Sequence, residues 1–163
     1  MPKKRVLIID DDPSICEVVK EVLEFDEMEV LKAVTPEEGL FEARYKSPHI
    51  ILLDLFLPNM SGFDVYKDLK NDERTKDIPV IIITGHTDKS TVTYAQELGL
   101  KGVFYKPFNF GQLRKKIKYI TEDDEDKPTK CPHCGREMED SWQFCPYDGL
   151  SRNTKSRKKL NER

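Results

Sequence analysis

Short, continuously apolar runs recur along the first two thirds of the chain. They read VLII at residues 6–9, IILL at 50–53 and VIII at 80–83. A strand with one face in water alternates apolar and polar residues, whereas a strand covered on both faces is apolar throughout. Parallel sheets are covered on both faces because the helices that connect their strands pack there. The runs therefore predict strands of a parallel sheet.

Helical periodicity separates these runs. Apolar residues recur at the 3.6-residue period of an amphipathic helix in two segments, which contain Ile15, Val18, Val19, Val22 and Leu23, and Phe110, Leu113, Ile117 and Ile120. The alternation of strand and helix patterns predicts an α/β fold with a doubly wound sheet. Its strands are predicted near residues 5–10, 28–34, 49–54, 78–84 and 102–105.

Helix start signals support these boundaries. Asp12 precedes a proline, which is typical of an N-cap before a first-turn proline. The segment TPEE at 35–38 has the spacing of a capping box, and Asn109 with Gln112 repeats that spacing. Each signal therefore predicts the start of a helix.

Polar residues follow the predicted strands at the edge where a doubly wound fold gathers its ligands. They are Asp10, Asp11, Asp54, Thr84 and Lys106. Carboxylates that converge repel one another unless a cation neutralises them, and Mg²⁺ suits oxygen ligands with positions left for water and phosphate oxygens. Lys106 supplies a positive charge and Thr84 a hydroxyl donor for phosphoryl oxygens. The set predicts a phosphoryl site with a carboxylate as the nucleophile.

Five motifs occur in order along this region. They are IIDDD at 8–12, LLDLFLP at 52–58, the glycine of SGF at 62, IIITG at 81–85 and YKPF at 105–108. Together they resemble the CheY-like receiver domain of bacterial response regulators, over about residues 3–120. The resemblance implies a flavodoxin-like sheet of five parallel strands in the order 2-1-3-4-5. It also implies a phosphoacceptor signalling domain rather than an enzyme.

By position, the resemblance makes Asp54 the phosphoacceptor. Asp10 and Asp11 match the acidic pair that holds Mg²⁺ in the family. The Asp54 carboxylate and the backbone carbonyl of Phe56 are the implied further ligands.

The resemblance also assigns two phosphoryl-contacting groups. Thr84 matches the switch hydroxyl and Lys106 the phosphate-binding lysine, and the bond between Lys106 and the following proline is implied to be cis. The chain departs from the family three residues before the lysine. Val103 stands there in place of a rotating aromatic residue, and the aromatic residues 104–105 follow it.

Two other interpretations stay open. The segment DDDPS at 10–14, after an apolar strand, also resembles the first motif of haloacid-dehalogenase-type phosphohydrolases, in which Asp10 would be the nucleophile. That enzyme class needs a further acidic pair on a strand after Lys106, and it leaves LLDLFLP without a role. The other alternative is a degenerate receiver that serves as a scaffold without being phosphorylated.

Composition narrows the class of protein only moderately. The chain has 163 residues, of which 35% are charged and 37% hydrophobic, with a net charge of -3. This balance predicts a soluble protein and indicates no particular partner. The start MPKKR leads into only four apolar residues, so neither a signal peptide nor a membrane span is predicted. We expect a cytoplasmic protein without membrane contact.

The sequence changes character after residue 120. A receiver domain is predicted at 1–120, an acidic linker at 121–130, a zinc-ribbon-like segment at 131–150 and a basic, disordered tail at 151–163. Three of the four cysteines lie within fifteen positions, which favours metal ligation in a reducing compartment over disulfides. The fourth, Cys16, is predicted to be a small helix residue.

The zinc-ribbon-like segment has one unusual ligand. The motifs CPHC and CPYD place Cys131, Cys134, Cys145 and Asp148 at zinc-ribbon spacing. A carboxylate is an acceptable Zn²⁺ ligand, and so short a lobe needs a metal to fold. The sequence therefore predicts a Zn²⁺ site. The alternative is a relic in which Asp148 and the following glycine form only a turn.

The partners follow from the resemblance and from the segment after the receiver. A sensor histidine kinase or a phosphotransfer protein is implied as the phosphodonor, with a downstream protein that the sequence does not identify. No helix-turn-helix pattern follows residue 120, so sequence-specific DNA binding is not predicted. Trp142 and Phe144 favour protein contacts, although the basic tail could touch phosphate backbones without reading bases.

Overall fold

Five parallel strands form the central sheet of the computed structural model, which describes residues 3–85 and 88–121. They are β1 (Arg5–Ile9), β2 (Glu29–Ala33), β3 (Ile50–Asp54), β6 (Val80–Thr84) and β7 (Gly102–Tyr105). Two very short strands, β4 (Phe56–Leu57) and β5 (Met60–Ser61), form a separate antiparallel hairpin. The sheet order β2-β1-β3-β6-β7 confirms the predicted order of the five main strands. The hairpin was not predicted, because strands of two residues show no period.

Five helices cover the two faces of this sheet. They are α1 (Pro13–Glu24), α2 (Pro36–Lys46), α3 (Gly62–Asn71), α4 (Lys89–Glu97) and α5 (Phe110–Thr121). One core cluster joins the sheet to α1 and α5, and it includes Val6, Ile8, Val19, Leu23, Leu52, Leu113 and Ile117. The other joins the opposite face to α2, α3 and α4, and it includes Leu7, Ile9, Ala43, Leu53, Val65, Leu69, Ile82 and Ala95. The continuously apolar runs are thus buried on both faces.

The predicted helix caps are present. The Asp12 side chain accepts a hydrogen bond from the Ser14 amide before α1, and Asn109 accepts one from the Gln112 amide in α5. Thr35 accepts a hydrogen bond from the Glu38 amide at the start of α2. The Glu38 carboxylate reaches back to the Val34 amide, one residue before the usual partner in a capping box.

The predicted apolar stripe of α1 was wrong at one position. Val18 is 42% exposed, whereas Cys16, Val19 and Leu23 are buried. Cys16 lies three residues before Val19 and therefore shares its face, which turns Val18 outward. Burial, followed by the nearby charge of Asp10, raises the pKa of the Cys16 thiol to about 11. Cys16 is therefore an inert core residue, as its position in a helix predicted.

Several predictions concern residues 122–163, which lie outside the described residues. They include the linker beyond residue 121, the zinc-ribbon-like segment and the basic tail, and they stay predictions. Within residues 3–85 and 88–121, no helix has both the length and the apolarity needed to cross a bilayer.

Candidate functional site

The central strands bring the predicted polar residues to one edge of the sheet. Asp54 ends β3 and Thr84 ends β6, while Asp10 and Lys106 directly follow β1 and β7. These four strands are neighbours and run parallel, so their carboxyl ends meet at the same edge. The prediction that these residues lie close together is confirmed for Asp10, Asp54 and Lys106 by direct contacts.

Three carboxylates form a cluster at this edge. Asp10, Asp11 and Asp54 each offer an oxygen atom, and these oxygens lie within 4.8 Å of one another. Asp10 and Asp54 are buried, whereas Asp11 is exposed. Hard oxygen ligands with one side open to solvent suit Mg²⁺, which keeps part of its water shell. The residues present therefore fit a magnesium ion.

Lys106 supplies the positive charge at the centre of this cluster. Its Nζ lies 2.6 Å from Oδ2 of Asp10 and 3.2 Å from Oδ2 of Asp54. Burial of the ammonium group lowers its pKa, but the hydrogen bond to Asp10 and the charges of both carboxylates outweigh that effect and raise the pKa overall. Lys106 therefore stays charged and bridges two strand ends.

Asp54 has the electrostatic environment expected of a site that recruits a cation. Burial and the charge of Asp10 raise its pKa, against the hydrogen bond from the Phe56 amide and the charge of Lys106. The Phe56 amide donates to Oδ1 at 3.1 Å, which leaves the two carboxylate oxygens in different surroundings. The sequence predicted a role for the Phe56 carbonyl but gave no sign of this amide contact.

Asp10 is less suited than Asp54 to act as a nucleophile. Its side chain is fully buried, Oδ1 accepts a hydrogen bond from the Asp12 amide at 2.9 Å, and Oδ2 contacts Lys106. These contacts hold the Asp10 carboxylate in place and occupy both of its oxygens. The geometry therefore does not favour the hydrolase interpretation, which requires attack by Asp10.

Gly62 lies unusually close to the backbone of Asp54. Its amide donates to the Leu55 carbonyl at 2.9 Å. A Cβ atom at this position would lie 2.3 Å from the Asp54 carbonyl oxygen and 2.7 Å from the Leu55 Cα. Only glycine therefore permits the start of α3 to pack on the peptide that carries Asp54.

Thr84 has an aromatic neighbour that the sequence did not indicate. Thr84 is fully buried and lies in register with Tyr105 of β7. Val103 is buried on the same face of β7, two residues earlier, where the family has its aromatic residue. The strand register was needed to identify this pair.

The remaining site features border the approach from solvent. The Lys106–Pro107 bond is cis, as the resemblance implied. Phe56 is 54% exposed beside the cluster, and a Cβ at Gly85 would meet no atom within 4 Å. His86, which was predicted to border the path of water, lies outside the described residues.

Comparison with solved structures gives the class of fold. The receiver domain of a CheY-like response regulator from Methanospirillum hungatei JF-1 superposes with a TM-score of 0.67 at 30% identity, covering 72% of this chain and 93% of that one. A putative response regulator from Chloroflexus aurantiacus gives a TM-score of 0.69 at 28% identity, covering 74% of this chain and 98% of that one. The fold is therefore that of a receiver domain.

The family model of the response regulator receiver domain matches residues 6–118, and the chain belongs to this family. Receiver domains are signalling domains of two-component systems, and they interact with histidine kinases or phosphotransfer proteins. The family match confirms the resemblance predicted for this part of the chain. It does not support the alternative of a haloacid-dehalogenase-type hydrolase.

Comparison with curated proteins adds relatives of different length. The DNA-binding dual master transcriptional regulator RpaA of Synechocystis is 33% identical over 129 residues, which cover 79% of this chain and 54% of RpaA. The chain spans about half the length of the first such relatives. Protein PilH of Pseudomonas aeruginosa is 31% identical and is covered over 96% of its length, with 71% of this chain. Because DNA-binding regulators are among the relatives, the prediction against DNA binding is not confirmed.

Proposed function

We propose that the protein is a response regulator of a two-component phosphorelay and that Asp54 accepts the phosphoryl group in the presence of Mg²⁺. The observation that carries this proposal is the position of Asp54, which is buried among carboxylates with Lys106 at 3.2 Å. Family membership makes signalling the general role, and these contacts single out the residue.

The carboxylates of Asp10, Asp11 and Asp54, with the carbonyl of Phe56, would hold the magnesium ion. When bound, Mg²⁺ supplies positive charge that offsets the charge of the phosphoryl oxygens. Asp10 is already fixed by the Asp12 amide, so this ligand needs no rearrangement of its own backbone contact. Such preorganisation lowers the cost of assembling the site.

The chemical step is a phosphoryl transfer between two nucleophiles. A carboxylate oxygen of Asp54 forms a bond to phosphorus while the bond from phosphorus to the donor, a phosphohistidine nitrogen or a small phosphodonor, breaks. The electron pair of the broken bond leaves with the donor. Lys106 carries a fixed charge for the oxygens of the transferred group, and Thr84 offers a hydroxyl on the neighbouring strand.

Labelling with acetyl phosphate or phosphoramidate tests the phosphoacceptor. Wild type should acquire an acid-stable, base-labile acyl phosphate that depends on Mg²⁺, and Asp54→Asn should not. Asp64→Asn, an exposed aspartate of α3, is the matched control and should be labelled like wild type. An acyl phosphate that persists in Asp54→Asn would refute the assignment, and label on Asp10 would favour the hydrolase.

The output is proposed to run through protein contacts, with the domain boundaries predicted above. The segment 131–150 has the spacing of a zinc ribbon and carries Trp142 and Phe144, which suit packing or docking on a protein. Co-purification of partners with and without a phosphoryl mimic tests this output. Recovery of specific DNA instead of a protein would contradict it.

Zinc ligation by Cys131, Cys134, Cys145 and Asp148 is the second part of the proposal. It rests on sequence spacing and on the donor set, three thiolates and a carboxylate. Elemental analysis after gel filtration should give about one zinc per chain. Asp148→Cys should hold the metal more tightly against a chelator, because thiolate is the softer ligand. Zinc-free protein from reducing, zinc-replete preparation would identify the segment as a relic.

A further inference from the structure

The two halves of α4 are held very differently. Residues 88–90 at its start are exposed, and among the described residues no first-turn amide donates to the Asp88 side chain. Within α4, whose nine residues are all described, Ala95 alone is buried, and Leu100 is buried just beyond its end. The helix is therefore packed through its C-terminal half.

A tyrosine of α3 fixes the C-terminal end of α4. Tyr66 is 3% exposed, and its hydroxyl donates to the Leu98 carbonyl at 2.7 Å. The amides of Leu98, Gly99 and Leu100 fold back onto carbonyls of α4, and Gly99 has φ +82, which is typical of a helix C-terminus. Carbonyls at such an end lack a partner within the helix. Tyr66 thus supplies one from outside.

A second contact from α3 reaches α4 one turn earlier. The ring of Phe63 meets the ring of Tyr94 edge to face, with centroids 4.7 Å apart. Phe63 and Tyr66 are three residues apart and so lie on one face of α3. The same helix begins at Gly62, whose amide is bonded to the Leu55 carbonyl beside Asp54. The anchor of α4 is therefore built on the helix that packs against the phosphoacceptor peptide.

The start of α4 is connected to a different part of the site. Only residues 85–88 separate Thr84 from Lys89, the first residue of α4. A displacement of the Thr84 strand end therefore acts on the loosely packed N-terminal half. The opposite half is held to α3.

We infer that α4 turns about an anchor in its C-terminal half, formed by Tyr66 on the Leu98 carbonyl and Phe63 on Tyr94, when Asp54 is phosphorylated. Tyr66 is a positioning residue in this device and takes no part in the chemistry. The response to phosphorylation rests on the proposed function, whereas the anchor exists without it.

Residue-resolved amide exchange on the unphosphorylated full chain tests the anchor. Tyr66→Phe removes only the hydroxyl, so the amides of Leu98, Gly99 and Leu100 should exchange about five- to tenfold faster, the factor expected for the loss of one net hydrogen bond. Tyr45→Phe is the matched control, because Tyr45 is exposed on α2, and it should leave these amides unchanged. Unchanged exchange in Tyr66→Phe would overturn the anchor.

Repeating the measurement with Mg²⁺ and beryllofluoride, a phosphoryl mimic, tests the turning motion. In wild type, changes in exchange should be confined to residues 88–93, and in Tyr66→Phe they should extend to Leu100. Changes spread evenly through α4 in wild type would overturn the inference. Failure of wild type to take up the mimic would remove the turning motion together with the proposed function, while the first measurement would still decide the anchor.

Discussion

Replacing Gly62 with alanine tests how tightly α3 is packed against the phosphoacceptor. In a helix, alanine is more favourable than glycine by roughly 0.5–1 kcal/mol, so helix propensity alone predicts a gain in stability. Here the added Cβ would lie 2.3 Å from the Asp54 carbonyl oxygen and 2.7 Å from the Leu55 Cα. Both are backbone atoms and cannot rotate away. We therefore expect the opposite sign.

The size of the effect follows from this overlap. An ordinary contact needs about 1 Å more room, and such overpacking costs roughly 1–3 kcal/mol. After subtraction of the helix-propensity gain, Gly62→Ala should destabilise the protein by about 1–2 kcal/mol. For a domain of this size, that corresponds to a melting temperature lower by roughly 3–10 °C. Because Asp54 would have to move with its backbone, phosphorylation by acetyl phosphate should slow by about 100-fold.

Thermal unfolding and the rate of phosphorylation measure the two consequences. Gly111→Ala in α5 is the control, since its Cβ meets only the Asn109 side-chain oxygen at 3.0 Å, which can shift slightly. This control should leave both quantities close to those of wild type. A Gly62→Ala protein that melts at or above the wild-type temperature would show that the contact with Asp54 is not restrictive.

Three further predictions follow from the site and the sheet. Lys106→Met removes the ammonium group that contacts Asp10 and Asp54, so calorimetric titration should show Mg²⁺ binding about tenfold more tightly, and equal or weaker binding would contradict this. Phe56→Asn replaces an exposed apolar side chain with one that can orient water, so the acyl phosphate should be lost faster; equal half-lives would make Phe56 a simple loop contact. His49 accepts a hydrogen bond from the Arg5 amide, and burial and nearby positive charges lower its pKa. The unfolded chain therefore binds the proton more readily, and the free energy of unfolding should fall by less than about 1 kcal/mol as the pH drops below roughly 6.5. Urea unfolding should show this loss in wild type and not in His49→Asn, and an equal pH dependence in both would refute it.

The main strands and the helix starts could be predicted from sequence because their signals are local. A strand buried on both faces must be apolar at every position, so 6–9, 50–53 and 80–83 are visible without any structure. A cap needs only a side chain and an amide a few residues apart, as at Thr35. Since parallel strands end at a common edge, the convergence of Asp10, Asp54 and Lys106 also followed from the strand pattern.

Contacts between elements were decided by the tertiary structure. The sequence did not show that Lys106 bridges both carboxylates, that Gly62 touches the Asp54 carbonyl, or that Tyr105 lies beside Thr84. Each depends on the register and spacing of elements that are far apart in the chain. The outward turn of Val18 has the same origin, because the rotation of α1 about its axis is set by the sheet against which it packs. Apolar periodicity defines a face of a helix, but close packing determines which residues at the border of that face are buried.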